Sequence, residues 1–579
     1  MFARVCVALL AAASASALAD TVPVSPAPPL SPADLLHSTP PGPWPMSSFA
    51  PPEHSSPPSN VFEGRLQLGP AYRQTVIRVL KDLFGDAQAV ESAANHLPPF
   101  DFEFVQSGDA IIPVARGTIA DKESAFEYIL EPGRVWDEAG TQGYTRAAIP
   151  FTLEERNENC MHNGVLTFLF RADGSISDVA YEIGSETCSY MQFDAWGYAE
   201  AHYVRTPIAS KEDVIARYRA EIAARIPMRP ISALSADYPD ASPAGFGSPA
   251  EIAPQDMTLF GVVADGRHYV SECDTRFGTY PYCDVLDVPS YSLAKSLFAG
   301  LATMRLAMTY PKVASLPITR YVPECHTNGT WKGVAIGNAL DMTTGHFNSS
   351  DSMFDEYAPD AGPFFLAEDH AGKIAFACTH YPRKKPPGKL WVYHTTDTYI
   401  LGTALSAFYR ETHGANADLY RDVLVDPVWV PLQLSPVVAV TRRTIDATRQ
   451  SFTGYGLTLH RDDIAKLATF INVAHGAING EQMVSRVMLD DGLRRNPTHD
   501  AYRASTDEFA YKNGFWAWNS QHALGCRTPT WIPFMLGYGG IVVALLPNGI
   551  TYYYVSDGGK FKWAAAAAEA NKMRVFCTR

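Results

Sequence analysis

The sequence predicts an α+β protein with two folded units, and three observations lead to this prediction. The chain has 579 residues, which is too long for one hydrophobic core. Two hairpin patterns occur, one around the turn Asp173-Gly174 and one around Pro547-Asn548-Gly549. Apolar residues three and four positions apart, which are typical of helices, occur in both halves of the chain. We therefore expect strands and helices in each unit.

The composition is that of a globular protein and argues against two classes of partner. Of the residues, 46% are hydrophobic and 19% are charged, and 47 basic against 61 acidic residues give a net charge of −14. Binding to nucleic acid or to an anionic membrane depends on clustered lysine and arginine. The basic cluster at 383–385 precedes two prolines and is typical of a solvated loop. We expect no nucleic-acid partner, and no segment is long and apolar enough to predict a transmembrane helix.

Residues 1–19 have the pattern of a signal peptide. Arg4 supplies the positive charge, residues 5–10 and the alanines after them form a short apolar region, and Ala17-Leu18-Ala19 is a small-residue cleavage site. The pattern predicts cleavage before Asp20 and export to the periplasm or the extracellular space.

Export makes disulfide bonds the expected state of the cysteines. Cys6 lies in the signal peptide, and an even number of cysteines follows it. Connectivity is not fixed by sequence, since eight cysteines allow about 105 pairings. Sequential pairing keeps each loop local and predicts the bridges Cys160–Cys188, Cys273–Cys283, Cys325–Cys378 and Cys526–Cys577.

The first part of the chain divides into a leader and a folded unit. Residues 20–60 are rich in proline and predict a disordered leader. Residues 61–226 predict a smaller α+β domain that opens with a helix over 71–85, where Val76, Val79 and Leu83 share one face. Its middle is the hairpin around Asp173-Gly174, and a second helix closes it. No motif in this domain indicates its role.

The second part begins after a linker and carries the chemistry. Residues 227–257 are rich in proline, serine and alanine, which is typical of a linker. The domain over 258–579 ends with the hairpin around Pro547-Asn548-Gly549 and an alanine-rich helix.

Ser292 and Lys295 form an S-x-x-K sequence at the start of an apolar helical pattern. Residues three apart lie on the same helix face, so the amine is expected beside the hydroxyl. A neighbouring amine stabilises an alkoxide or takes the serine proton, and the first turn of a helix supports a developing negative charge. By itself the motif is weak, because a surface lysine at this spacing is common.

Two further sequences follow in the second domain. Tyr393 comes after a short strand-like run and before a helix, and a phenol near an ammonium group can transfer protons. Gly537-Tyr538-Gly539-Gly540 lies directly ahead of the terminal hairpin, where glycines let the backbone approach a ligand. A packed aromatic and a tight turn are the structural alternatives.

Taken in order, these sequences resemble the serine β-lactamase and penicillin-binding-protein superfamily. The resemblance is to its class C-like branch, which includes class VIII esterases and 6-aminohexanoate-dimer hydrolases. A segment over 331–346 adds to it through matching positions at Trp331, Lys332, Val334, Ile336, Leu340, Met342, Thr343, Thr344 and Gly345. It covers roughly residues 258–579 and implies an antiparallel sheet flanked by helices, with a helical subdomain.

The resemblance also implies roles for particular residues. Ser292 would be the acylated nucleophile, activated by Lys295 and Tyr393. The backbone N–H groups of Ser292 and Ile541 would form the oxyanion hole. Substrate would contact Thr395, Tyr538, Gly539 and Gly540. Whether Lys295 or Tyr393 first takes the serine proton stays open, because the groups titrate together.

Two departures from the family pattern bear on the substrate. Tyr538 stands where many relatives have a cationic residue that holds a substrate carboxylate, and Thr395 stands where many have asparagine. Both favour a small-molecule or oligomeric ester or amide substrate with an uncharged acyl group. A β-lactamase or D,D-carboxypeptidase, and a non-catalytic binding protein on the same fold, remain the alternatives.

Other hydrolase chemistries lack their motifs. The sequence contains no G-x-S-x-G and no H-E-x-x-H, and its histidines lack metal-ligand spacing. We therefore expect no metal and no organic cofactor, and the oligomeric state is left open.

Overall fold

A computed structural model describes residues 25–39, 41–84, 97–121, 124–326, 329–496 and 499–578. The predicted signal peptide lies outside these residues. Within them the protein contains two large, mainly antiparallel sheets and many helices, so the predicted α+β class is confirmed. No helix in this part of the chain has the length and apolarity needed to cross a bilayer.

The first sheet closes on itself. Its strands pair in the order β4-β6-β5-β3-β2-β1-β9-β8-β7, and an additional pairing of the last strand, β7, with β6 closes it. The hairpin predicted around Asp173-Gly174 is the pair β7 and β8. The strands are β1 (Glu63–Asp82), β2 (Asp101–Ser107), β3 (Ala110–Pro113), β4 (Phe126–Leu130), β5 (Gly133–Trp136), β6 (Thr145–Glu155), β7 (Met161–Phe170), β8 (Val179–Thr187) and β9 (Met191–Arg205).

The helix predicted over 71–85 is wrong. Strand β1 runs through this segment and pairs with β9 from Gly64 to Asp82. Two residues of the expected apolar face, Val76 and Leu83, are 39% and 45% exposed. The β-branched residues Val76, Ile77 and Val79 suit a strand, and pairing with a long neighbouring strand outweighs the helical spacing.

The proline-rich segment over 25–60 is packed where disorder was predicted. It forms a short helix, α1 (Pro32–His37), and buries Leu35, Trp44, Met46 and Phe49. The ring of Trp44 lies 5.5 Å from that of Tyr198 on β9. A few large apolar side chains among many prolines hold this segment in place. The free energy gained by burying each aromatic residue exceeds the cost of ordering a segment that has little regular secondary structure.

The second sheet is open and follows the first in the chain. Its strands pair in the order β10-β12-β11-β24-β23-β22-β21-β20-β19, and only β10 and β12 run parallel among them. The predicted terminal hairpin is confirmed as β23 and β24. The strands are β10 (Met228–Pro230), β11 (Met257–Ala264), β12 (Arg267–Val270), β19 (Tyr502–Arg503), β20 (Phe509–Lys512), β21 (Phe515–Asn519), β22 (Trp531–Gly537), β23 (Ile541–Leu545) and β24 (Thr551–Ser556). Between β12 and β19 lie two-stranded pairs formed by β13 (Asp274–Thr275) and β14 (Gly278–Thr279), β15 (Val288–Pro289) and β16 (Thr458–Leu459), and β17 (Ala477–Ile478) and β18 (Glu481–Gln482).

Most helices lie in the second part of the chain, between and beside these strands. The predicted terminal helix is confirmed at Ala564–Met573. The other α-helices after α1 are Lys211–Ala223, Leu234–Asp237, Leu301–Thr309, Ile318–Tyr321, Ile336–Leu340, Phe354–Tyr357, Gly362–Leu366, His370–Thr379, Thr395–His413, Arg461–Asn472, Arg486–Gly492 and Gln521–Leu524. Wider helical turns span Lys295–Gly300 and Arg421–Trp429, and 3₁₀ turns span Met46–Phe49, Ile231–Ala233, Pro243–Gly245, Pro254–Asp256, Cys283–Val285, Val313–Ser315, Pro323–His326, Pro359–Ala361 and Pro436–Ala439.

The predicted linker over 227–257 is packed against the second sheet. It contributes β10, and Leu234, Phe246 and Ile252 are buried in the core on one face of that sheet. The division of the chain at these bounds stays a prediction.

Buried ion pairs join the two parts of the chain. His460 Nε2 lies 3.2 Å from Asp287 Oδ1 and 3.6 Å from Glu131 Oε1, and Arg116 pairs with the same glutamate at 2.5 Å. Burial alone would lower the pKa of His460, but Glu131 and Asp287 raise it well above its usual value. The three side chains lie close enough together to hold a metal ion, but they are already matched in charge by one another and by Arg116. Glu131 and Arg116 belong to the first part, and Asp287 and His460 to the second.

The four predicted disulfides are all present. The structure pairs Cys160 with Cys188, Cys273 with Cys283, Cys325 with Cys378, and Cys526 with Cys577. Each bridge stays within one of the two parts of the chain.

Candidate active site

Ser292 and Lys295 lie side by side at the start of a buried helical segment. The amine Nζ of Lys295 is 2.8 Å from the hydroxyl Oγ of Ser292. The lysine side chain is 2% exposed, whereas Ser292 is half-buried and borders a pocket. The predicted proximity of amine and hydroxyl is present, and the lysine is not a surface charge.

Thr395 and Gly454 fix the orientation of this amine. Lys295 Nζ donates to Thr395 Oγ1 at 2.8 Å and to the Gly454 carbonyl at 3.2 Å. The Thr395 hydroxyl donates its one proton to Glu356, and the Glu356 carboxylate also accepts from Thr395 N at 2.8 Å. Because Thr395 and Gly454 can only accept from the lysine, they fix two of its N–H bonds and leave the face toward Ser292 for proton exchange.

Tyr393 completes the group around Ser292. Its side chain is buried, its hydroxyl bonds to Ser292, and its ring centroid lies 4.9 Å from Lys295 Nζ. Burial raises the pKa of Tyr393 well above its usual value, and the nearby Glu356 adds to this effect. The residue is therefore a neutral phenol at neutral pH, which is able to donate a proton.

The segment over 331–345 supports the strand-like run that ends at Tyr393. The Met342 carbonyl accepts a hydrogen bond from Val392 N at 3.0 Å, and Thr344 Oγ1 donates to Asp397 at 3.2 Å. Tyr393 N in turn donates to the Ser352 carbonyl at 2.8 Å. These contacts hold the backbone on both sides of Tyr393.

The turn ahead of Ser292 is held by the first part of the chain. Tyr291 has a φ of 39°, which a bulky residue adopts only when its surroundings enforce it. Its N–H donates to Asn159 Oδ1 at 2.8 Å. The same oxygen accepts from Gly456 N at 3.2 Å and from Ser290 Oγ at 3.4 Å, and Asn159 is fully buried.

The pocket that contains Ser292 is narrow, with a volume of about 50 Å³. Aromatic rings dominate its walls, and the first part of the chain contributes Glu158 and Tyr190. Among the described lining residues two are acidic and none is basic. They are Glu158, Tyr190, Tyr291, Ser292, Met353, Glu356, Tyr357, Phe365, Tyr393, Thr395, Tyr455, Leu536, Tyr538 and Phe561.

The glycine-rich sequence Gly537-Tyr538-Gly539-Gly540 forms the turn between β22 and β23, and its residues border different cavities. Tyr538 lines the pocket of Ser292, and Gly539 borders a neighbouring cleft. Gly540 has a φ of 112°, and a Cβ there would meet Ser556 Oγ at 2.5 Å, so packing explains this glycine. Ile541 is fully buried, pairs with Gly537 and does not line the pocket, so the wall beside Ser292 is formed at Tyr538 instead.

A larger cleft of about 670 Å³ adjoins this pocket. The two cavities share Met353, Tyr357, Leu536, Tyr538 and Phe561. The cleft is lined mainly by aromatic side chains of the second sheet and of the segment that follows it, namely Phe509, Trp516, Trp518, Phe534, Phe561 and Trp563.

Two further ionisable groups lie at the narrow pocket, the half-buried Glu158 in its wall and the buried Lys373 behind it. Burial raises the pKa of Glu158 to about 8 and lowers the pKa of Lys373 to about 7. Lys373 Nζ donates to Tyr455 Oη at 3.1 Å, and Tyr455 lines the pocket. The sequence did not predict Glu158, Lys373, Glu356 or Asn159 as part of the site, because none of them belongs to a local motif.

Neither a family model nor a curated protein sequence matches the chain. Among solved structures it is similar to a putative 6-aminohexanoate-dimer hydrolase from Bacillus anthracis, with 16% identity and a TM-score of 0.41, over 55% of this chain and 78% of that one. It is also similar to a class C β-lactamase mutant, with 14% identity and a TM-score of 0.38, over 55% of this chain and 91% of that one. Because both TM-scores are below 0.5, the function proposed below rests on the geometry of the site.

Proposed function

We propose that the protein is a serine hydrolase that cleaves an ester or amide bond through an acyl-enzyme on Ser292. One observation carries the proposal, namely the convergence of the Ser292 hydroxyl, the Lys295 amine at 2.8 Å and the Tyr393 phenol at one pocket. A half-buried hydroxyl between a buried amine and a buried phenol has the groups that acyl transfer requires.

The reaction has two halves that use the same groups. Ser292 Oγ attacks the substrate carbonyl as its proton passes to the Lys295 amine, since Tyr393 as a neutral phenol cannot accept it. The pair of Lys295 and Tyr393 then protonates the leaving alcohol or amine as the tetrahedral intermediate collapses to the acyl-enzyme. A water molecule then attacks the acyl carbonyl and gives a proton to the pair, the bond from the carbonyl carbon to Ser292 Oγ breaks, and the pair returns a proton to Oγ as the acid leaves. The raised pKa of Tyr393 suits it to the donating step.

The charges at the pocket support an uncharged or cationic acyl group over an anionic one. Glu356 borders the pocket, Glu158 beside it is mostly protonated at neutral pH because burial raises its pKa to about 8, and the described lining contains no lysine, arginine or histidine. A β-lactam or a peptide C-terminus would bring a carboxylate toward Glu356, in a pocket whose described lining offers no cation to bind it. The proposal therefore favours an esterase or amidase over a penicillin-binding enzyme.

Two wider expectations belong to the same proposal. The hydrolase domain would be a β-lactamase-like domain over 258–579, preceded by the smaller domain over 61–226. Four disulfides in the structure are compatible with export, which the pattern of residues 1–19 predicts.

Burst kinetics with a chromogenic aryl ester test the proposal. An acyl-enzyme predicts a rapid release of about one equivalent of phenol followed by slower turnover. Ser292→Ala is expected to remove both phases. Ser296→Ala is the matched control, since its hydroxyl donates to the Gly514 carbonyl at 2.6 Å inside the core and does not line the pocket. Full turnover by Ser292→Ala would refute the proposal.

A further inference from the structure

The large cleft and the narrow pocket differ in size and share one border. The cleft has about 670 Å³, a volume that holds a drug-sized group, and the pocket of Ser292 has about 50 Å³, which holds only a few non-hydrogen atoms. A substrate whose carbonyl reaches Ser292 therefore meets a spacious side and a confined side.

The position of Tyr393 indicates which part of the substrate faces the cleft. Its phenol must reach the leaving oxygen or nitrogen, and its ring lies 6.0 Å from that of Trp516 in the cleft wall. Trp518 and Trp563 continue this wall, with ring centroids 4.8 Å apart. The narrow pocket that contains Ser292 is confined by Tyr190 and Tyr455, neither of which lines the cleft.

We propose that the cleft binds the alcohol or amine part of the substrate, and that this part is a bulky apolar group, while the acyl group is short. The inference rests on the proposed function and names the substrate class of the same site. Apolar area buried against tryptophan and phenylalanine rings supplies the binding free energy for the leaving part. The confined side excludes long acyl chains by size.

Three esters with similar leaving-group chemistry test this class. We expect kcat/KM for 2-(2-naphthyl)ethyl acetate to be at least tenfold higher than that for ethyl acetate. We expect it to be higher by a similar factor than that for the reversed ester, ethyl 3-(2-naphthyl)propanoate. Trp518→Ala is expected to reduce the first ratio several-fold. Trp531→Ala is the control, since Trp531 begins the same sheet strand as Phe534 but lies outside the cleft.

Equal kcat/KM values for the three esters, or a preference for the reversed ester, would overturn the substrate class. Labelling of Ser292 by a small fluorophosphonate in the same preparation separates this failure from a failure of the proposed function. If Ser292 is labelled and no naphthyl preference appears, only the assignment of the cleft is wrong.

A second inference comes from the contacts of Asn159. Its fully buried Oδ1 accepts hydrogen bonds from three groups around Ser292, the shortest being 2.8 Å from Tyr291 N. Its Nδ2 donates to Glu154 Oε1 at 3.0 Å, which anchors the amide in the first sheet. Tyr291 directly precedes the nucleophile and has a positive φ.

We infer that Asn159 is a positioning residue through which the first part of the chain holds the turn of Ser292 in its reactive geometry. Without the accepting oxygen, Tyr291 N would lose its partner and the strained φ of 39° would relax. A small displacement of a nucleophile has large effects on rate, because attack requires aligned atoms. This inference also rests on the proposed function.

Asn157 provides a matched control two residues away. It is buried and also bridges the two parts of the chain, since its Nδ2 donates to the Phe365 carbonyl at 2.7 Å. Within the described residues its side chain forms no hydrogen bond with the turn of Ser292. Removing either amide costs a buried inter-part hydrogen bond, but only Asn159 acts on the nucleophile.

We expect Asn159→Ala to lower kcat at least tenfold with KM nearly unchanged, and Asn157→Ala to keep kcat within a few-fold, at similar losses of thermal stability. Asn159→Asp keeps the accepting oxygen, and its second oxygen, which replaces Nδ2 beside Glu154, must share a proton with that carboxyl. The variant is expected to recover part of kcat, and it also serves if Asn159→Ala does not fold. Equal kcat for Asn159→Ala and Asn157→Ala, or no recovery in Asn159→Asp, would overturn the inference. If a fluorophosphonate fails to label Ser292 in the unsubstituted protein, the proposed function itself is refuted.

Discussion

The closed sheet of the first part and the open sheet of the second part meet at the same pocket and contribute to it differently. The second part supplies Ser292, Lys295 and Tyr393, whose side chains touch one another. The first part supplies Glu158 and Tyr190 to the wall and Asn159 to the turn that precedes Ser292. The groups proposed to react therefore come from one part, whereas both parts form the pocket wall and the contacts around it.

The residues that the first part contributes to the site lie next to one disulfide, Cys160–Cys188. Glu158 and Asn159 directly precede Cys160, and Ser189 and Tyr190 directly follow Cys188. The bridge thus ties together the two segments that reach the site. Substitutions in the two parts should have different kinetic signatures, and the following predictions use that difference, from the largest expected effect to the smallest.

The largest effect is expected from a comparison of two tyrosines at the same pocket. Tyr393→Phe should lower kcat roughly 100- to 10,000-fold, because it removes the group that transfers protons. Tyr190→Phe removes a hydroxyl that donates to Glu155 at 2.7 Å, and should change KM more than kcat. Steady-state kinetics of both variants measure the difference. Similar losses of kcat would show that the two parts do not divide the work in this way.

The buried ion pairs between the parts should dominate their docking. His460→Leu leaves Glu131 and Asp287 without their shared cation and should lower the free energy of unfolding by about 3–5 kcal/mol. Lys211→Met breaks a partly exposed pair with Glu63 within the first part and should cost less than about 1 kcal/mol. Denaturant unfolding gives both values, and equal costs would contradict the assigned role of His460.

Removal of two different disulfides should have similar effects on stability and different effects on activity. Replacing Cys160 and Cys188 by serine should cost about 2–4 kcal/mol and also lower kcat/KM, since the bridge joins both pocket-facing segments. Replacing Cys526 and Cys577 should cost a similar amount of stability with kcat/KM unchanged, because that bridge lines neither cavity. Thermal unfolding and kinetics on the same samples measure both quantities. A lower kcat/KM in the second pair alone would contradict the expectation.

The smallest effect is expected from mild acid. Burial lowers the pKa of His162 to about 3, below the unfolded value near 6.5. Its contribution to stability is therefore complete above pH 6.5 and is lost as the pH falls from 6.5 toward 3. At pH 5.5 the loss is about 1.4 kcal/mol. Burial also lowers the pKa of His268 to about 3, so the second part should lose stability over the same range.

His162→Phe tests how much of this loss of stability comes from the first part of the chain. Phenylalanine suits the position, since the ring of His162 stacks on that of Phe193 at 4.2 Å in an apolar core. The difference in unfolding free energy between pH 7.5 and pH 5.5 should shrink by about 1 kcal/mol in this variant. An unchanged difference would show that His162 does not titrate as its burial implies.

Sequence reasoning served the second part better than the first, and the reason is local. S-x-x-K places amine and hydroxyl on one helix face by spacing alone, and the terminal hairpin has its turn residues in place. In the segment over 71–85, by contrast, β-branched residues fall at helical spacing. Only pairing with β9, more than a hundred residues later, decides that this segment is a strand.

The supporting residues of the site were out of reach for the same reason. Asn159 and Glu356 act through partners far away in sequence, and no spacing rule brings Asn159 beside Tyr291 or Glu356 beside Thr395. The leader over 25–60 shows the converse error. Its composition is typical of disorder, yet Trp44 and Phe49 are buried by surfaces that only the folded chain provides.

Identification of the residue that a fluorophosphonate modifies tests the central claim most directly. The purified protein is labelled, digested and mapped by mass spectrometry, with Lys295→Met and a heat-denatured sample as controls. The account predicts one label, on Ser292, with labelling slowed at least a hundredfold in Lys295→Met. Labelling at another residue, or none on the folded protein, would contradict it.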